Sequence, residues 1–184
     1  MRNAPEQGQV TITLLQLQKI MPYAGKRAAK FLDPLNLTLF EFGIDTPMRQ
    51  AAFLAQIAHE SGSLKYVREI ASGEAYEGRR DLGNTEPGDG VRFRGRGLIQ
   101  ITGRSNYRAC SLGLYGDERL LQQPEILEGT VDACRSAGWF WQTMNLNALA
   151  DVGAFRPITK AINGGFNGYE DRLAYYERAK AVLT

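Results

Sequence analysis

Two glutamates nine residues apart, Glu60 and Glu69, stand in different chemical settings. Glu60 ends the stretch Met48–Glu60 (MRQAAFLAQIAHE), which is apolar nearly all round when wound as a helix. At about 100° per residue, Arg49, Gln56, His59 and Glu60 share an arc of roughly 100°, with Phe53, Ile57 and Leu64 alongside. One narrow polar strip on an otherwise buried helix suggests the wall of a wet cleft. A carboxyl at its edge is partly desolvated, which penalises the charged form, as a general acid requires. Glu69 follows Arg68 in a polar stretch, a wetter setting that suits a general base. Two carboxyls in unlike environments make an acid/base pair. On spacing alone, Glu74 and Glu77 could equally supply the second carboxylate. His59 reads as an orienting or packing residue rather than a base.

The elements that must carry these groups are helical. Leu14, Leu15, Leu17 and Ile20 start a helical pattern that stops at Pro22. A second helix is predicted over about Gly25–Phe31, and Asp33-Pro34 reads as the cap and first position of another. Thr46-Pro47 repeats that start signal for the Glu60 helix. Later helices are predicted near Ser105–Leu112, Thr130–Thr143, Phe155–Ile162 and Tyr169–Val182. Period-two alternation is scarce, with Gly97–Thr102 (GLIQIT) the best strand candidate or an extended cleft wall. From Ala71 to Gly97 the chain is glycine-rich and aperiodic, which predicts a substrate-binding loop, and Phe93 with the closely spaced glycines near it argues for order over a disordered insertion. Trp139, Phe140 and Trp141 read as core rather than as a sugar platform. The fold class is mainly α, in a single domain over 1–184.

Composition narrows the function. The 22 basic and 20 acidic side chains give +2, too balanced for a dedicated nucleic-acid binder. The Arg68–Arg108 region is locally basic, and reads either as a solvated ion-paired surface or as a face for an anionic polymer. Cys110 and Cys134 read as buried thiols, and a lone histidine argues against zinc, so no metal or cofactor is expected. The first twenty residues hold no apolar run long enough for a signal peptide or a membrane span. Synthesis in a host cytoplasm is therefore expected, with a separate pore-forming protein giving access to the cell wall. The C-terminal helix carries mixed charge and reads as packed, not membrane-active. A monomer is expected, since a groove must admit a polymer.

Three stretches, FLAQIAHESGSL (Phe53–Leu64), YEGRRDLGNTEPGDGVRFRGRGLIQITGRSNY (Tyr76–Tyr107) and AINGGFNGYEDR (Ala161–Arg172), resemble the glycoside hydrolase family 19 chitinases, and among them phage and prophage endolysins. The resemblance covers about residues 45–180. It implies a lysozyme-like helical fold of two lobes around a sugar groove, and an inverting mechanism with two carboxylates. It implies Glu60 as acid, Glu69 as base and Thr102 as the hydroxyl that holds the water. Gln100, Asn106, Tyr107, Asn163, Arg172 and His59 would make up the substrate-binding set, with Arg172 also pairing with the carboxylate network. Unlike plant chitinases, the chain lacks their set of disulfides, and this favours peptidoglycan over chitin as partner. A lytic transglycosylase needs no base, so Glu69 and Thr102 argue against it. A non-catalytic glycan-binding protein would make Glu60 dispensable.

Overall fold

A computed structural model describes residues 11–184; the first half of the stretch expected to lack a signal peptide lies outside them. The elements are α1 (Leu14–Ile20), α2 (Arg27–Glu41), α3 (Pro47–Glu60), α4 (Asp89–Arg92), α5 (Arg104–Tyr115), α6 (Arg119–Gln122), α7 (Thr130–Thr143), α8 (Leu146–Asp151), α9 (Phe155–Asn163) and α10 (Tyr169–Leu183). Buried apolar side chains from Ile12 to Ala179 form one connected cluster. The mainly α expectation holds.

Helix α3 is the axis of the site, and its sequence explains why. Thr46 caps it, its hydroxyl accepting from the Arg49 N–H, and Pro47 occupies the first turn, where its missing N–H costs nothing. Every residue from Gln50 to Ala58 is buried. Phe53 meets Trp141 of α7 edge to face at 5.3 Å, so that tryptophan is core, its Nε1 donating to Asn147. Helix α10 lies along α3, and Tyr175 of α10 shares a hydrogen bond with Ser63, just past the end of α3.

Two expectations need correction. Asp33-Pro34 does not open a new helix: α2 runs unbroken through Pro34, forgoing one backbone bond. Burial of Phe31, Leu35 and Leu39 against the core offsets that loss. Gly97–Thr102 forms no strand. Gln100 takes φ 60°, which breaks extended backbone, and only Ile101 pairs, in an isolated bridge with Arg96. Arg96 bridges Arg68 as well, tying the segment after α3 to the glycine-rich motif.

The predicted loop is ordered by side chains that bind its backbone. Asp89, with its side chain 2% exposed, accepts from the Thr85 and Glu86 N–H groups and makes a bidentate pair with Arg104. Arg104 is the main cause holding the Asp89 carboxyl below the usual range. Glu77 accepts from the N–H groups of Gly88 and Gly90.

Candidate active site

Glu60 ends α3 and is fixed from α10. Arg172, buried in the core, donates Nη2 to Glu60 Oε1 at 2.5 Å, Nη1 to Gln56 Oε1 at 2.6 Å and Nε to the Asn167 carbonyl at 3.3 Å. Gln56 in turn donates to Thr159 Oγ1 at 2.9 Å. A buried guanidinium with its donors directed to fixed acceptors holds the carboxylate in one orientation. The Glu60 side chain keeps 20% exposure, so one face of it reaches solvent.

The polar strip of α3 is therefore less wet than its periodicity suggests. Arg49 is taken up by Asp151 and Asp45, and Gln56 is dry. Arg49, His59 and Glu60 are half-buried, and of these only His59 and Glu60 stand at the C-terminal end of α3. His59 Nδ1 lies 2.7 Å from Asp171, and its ring rests on Gly168, where a Cβ would come within 2.2 Å of it. These contacts hold the His59 ring between the end of α3 and the start of α10.

Glu69 belongs to a second network. Its Oε1 accepts from the Tyr76 hydroxyl at 2.9 Å and its Oε2 from the Gly95 N–H at 3.0 Å. The Glu69 N–H donates back to the Gly95 carbonyl at 2.9 Å. Desolvation first, and the Glu69 carboxylate second, raise the Tyr76 phenol above its ordinary value, so it stays a donor. Gly95 is the point of convergence. A Cβ there would lie 2.7 Å from Gln100 Oε1, 3.2 Å from Glu69 Oε2 and 3.3 Å from Thr102 Oγ1. Thr102 Oγ1 donates to the Gln100 carbonyl and Gln100 Nε2 to the Gly97 carbonyl.

The fold thus brings Glu69, Gln100 and Thr102 together, while Glu77 is consumed by loop backbone and Glu74 lies exposed on a separate short turn. Asn106 is exposed and donates to the Thr102 carbonyl at 2.8 Å. Asn163 ends α9 and accepts from the Asn167 N–H at 3.2 Å. Tyr107 departs from its expected role. It is fully buried, its hydroxyl donating to the Arg94 carbonyl and accepting from Arg96, and burial raises its phenol. A side chain with no exposed surface cannot touch a sugar, so it supports the glycine-rich motif from below. Arg172 likewise acts on Glu60 and not on ligand.

The sequence reading did not single out Gln56, Tyr76, Gly95 or Asp171 as site residues. Gln56 sat in the polar strip and Tyr76 within the resembling stretch, yet neither partner could be read from spacing.

No family model matches the chain. A glycosyl hydrolase family 19 domain-containing protein of Haemophilus influenzae is 31% identical over 197 residues, covering 90% of this chain and 94% of that one. An endochitinase of Arabidopsis thaliana is 39% identical over 135 residues, 68% of this chain but 44% of its own length. Among solved structures, chitinase C of Streptomyces griseus superposes with a TM-score of 0.77 at 23% identity, covering 98% of this chain and 79% of that one. The helical, lysozyme-like architecture is thereby that of the chitinases, and full-length similarity to the Haemophilus protein adds the ancestry: the chain belongs to glycoside hydrolase family 19.

Proposed function

We propose that this glycoside hydrolase cleaves the β-1,4 bond between N-acetylmuramic acid and N-acetylglucosamine in bacterial peptidoglycan, with inversion, as an endolysin does. The observation that carries the mechanism is the separation of two carboxylates into two networks, Glu60 on Arg172 and Glu69 on Tyr76 and Gly95. Glu60 in its acid form gives a proton to the glycosidic oxygen as the C1–O bond breaks. Glu69 takes a proton from the water that attacks C1 from the opposite face. Thr102 Oγ1, beside Glu69 at Gly95, orients that water, while Gln100, Asn106 and Asn163 bind acetamido and hydroxyl groups. Solvent then returns the proton from Glu69 and restores Glu60.

Chitin is the second reading, favoured by the Arabidopsis relative's name, endochitinase. The same two carboxylates serve either polymer. Synthesis in a host cytoplasm, release to the wall through a separate pore-forming protein, and action as a monomer complete the proposal. Incubation with purified sacculi and with chitin, followed by mass spectrometry of the soluble products, tests it. Muropeptides ending in a new reducing sugar support the peptidoglycan reading; intact sacculi beside digested chitin would replace it with the second.

A further inference from the structure

Helix α9 turns two faces to different neighbours. Phe155, Ile158 and Thr159 are buried, whereas Arg156, Pro157 and Lys160 face outward. With Ala161 and Phe166 these outward residues line an open depression of about 580 Å³. The Arg156 guanidinium lies 4.2 Å from the Phe166 ring centroid and 5.4 Å from that of Tyr169. Lys160 stands one helical turn further along the same face. Neither cation is paired with a carboxylate among the described residues. For Arg156 that is unusual, since most of the other described arginines hold a carboxylate or a carbonyl. Phe166 remains 41% exposed, a large apolar ring open to solvent.

The position matters as much as the composition. Phe166 lies in the five-residue connection between α9 and α10, from Gly164 to Gly168. Asn163 braces that connection through the Asn167 N–H, Asn167 accepts from Arg172, and Gly168 packs under His59. The same five-residue turn thus touches the Glu60 network at one end and carries the Arg156–Phe166 pair at its middle.

We propose that Arg156, Lys160 and Phe166 form a subsite for a carboxylate borne by the substrate glycan, a free acid of the stem peptide on a muramic residue. Stacking on Phe166 fixes the plane of the guanidinium and leaves its fork to take a carboxylate in bidentate fashion. Lys160 adds a second charge one turn away, and the exposed ring offers an apolar surface to the sugar or to the lactyl methyl group. A polymer of N-acetylglucosamine alone has no acid to offer here. The inference rests on the peptidoglycan reading and supplies a physical basis for preferring that polymer.

Calorimetric titration with a purified N-acetylglucosaminyl-N-acetylmuramic acid tetrapeptide, and with chitotetraose as the uncharged probe, tests it. Both side chains are exposed, so R156A/K160A folds as the parent does. The double variant is expected to bind the muropeptide roughly tenfold or more weakly, with affinity for chitotetraose unchanged. Parental muropeptide affinity should also fall as salt rises from 50 to 300 mM, and that of the variant should not. Equal muropeptide affinity in parent and variant, with sacculi still cut by the parent, would overturn the subsite and leave the function standing. Equal loss for both probes would make the face a general sugar platform and overturn its charge role. A parent that neither binds muropeptide nor cuts sacculi would remove both proposals.

Discussion

Arg172 Nη2 and Glu60 Oε1 lie 2.5 Å apart, and the guanidinium that makes this contact is almost wholly buried. The arginine serves Gln56 and Asn167 at the same time, so α3, α10 and the turn before α10 meet on one side chain. Lysine can reach one of these acceptors but not all three. Arg172→Lys is expected to cost about 1–3 kcal/mol of stability and to lower kcat more than tenfold while KM changes little. Urea unfolding and steady-state kinetics on the same preparation check both parts.

Gly95 offers a sharper separation of fold from chemistry. An alanine methyl would press on the ends of Gln100, Glu69 and Thr102, and the nearest of these is a flexible side-chain tip. Gly95→Ala should therefore melt within a few degrees of the parent, by roughly 1 kcal/mol or less. Its turnover should drop by at least an order of magnitude, because the displaced groups are the proposed base and its neighbours. Calorimetric Tm beside kcat is the measurement.

The 71–97 loop hangs on Asp89. Its carboxyl lies below the ordinary range chiefly because of Arg104, so the native state binds fewer acid protons than the unfolded chain. The stabilisation is present above about pH 4 and is lost as pH falls through the native value. Asp89→Asn should flatten this acid loss. It should also expose the loop to limited proteolysis near Glu74–Thr85, seen as early fragments by mass spectrometry.

Alkali acts through the buried thiols. Desolvation pushes Cys110 up to about 12, and Cys134 in the same direction, against ordinary values near 9. Here the native state holds the extra protons, so stability is complete below about pH 8.5 and declines as pH rises. Native protein should leave a thiol reagent unreacted at pH 8, and both cysteines should react in denaturant. A stability curve that rises between pH 9 and 11 would contradict the assignment.

Local signals in the sequence were reliable where a single residue dictates geometry. Thr46-Pro47 started α3 because cap and missing N–H act on the nearest turn alone. Asp33-Pro34 carried the same signal and failed, since burial along α2 outweighs one lost backbone bond. Glu60 could be placed on its helix face from periodicity, but Arg172, 112 residues away, could be joined to it only by resemblance. Tyr107 was misread because its motif says nothing of depth: α5 turns that ring inward beneath Arg94 and Arg96. The loop's order was inferred from glycine content, whereas the bonds that create it run from Asp89 and Glu77 to backbone N–H groups that no pattern marks.

The central claim is a division of labour, with Glu60 as proton donor and Glu69 as activator of water. The anomer of the first product reports it directly. Proton NMR of sacculi glycan, recorded within minutes of cutting and before mutarotation, should show a new α-configured reducing end. With Glu69→Gln that signal should disappear together with turnover, and with Glu60→Gln likewise. A β-configured product, or a 1,6-anhydro end formed without water while Glu69→Gln remains active, would contradict the account.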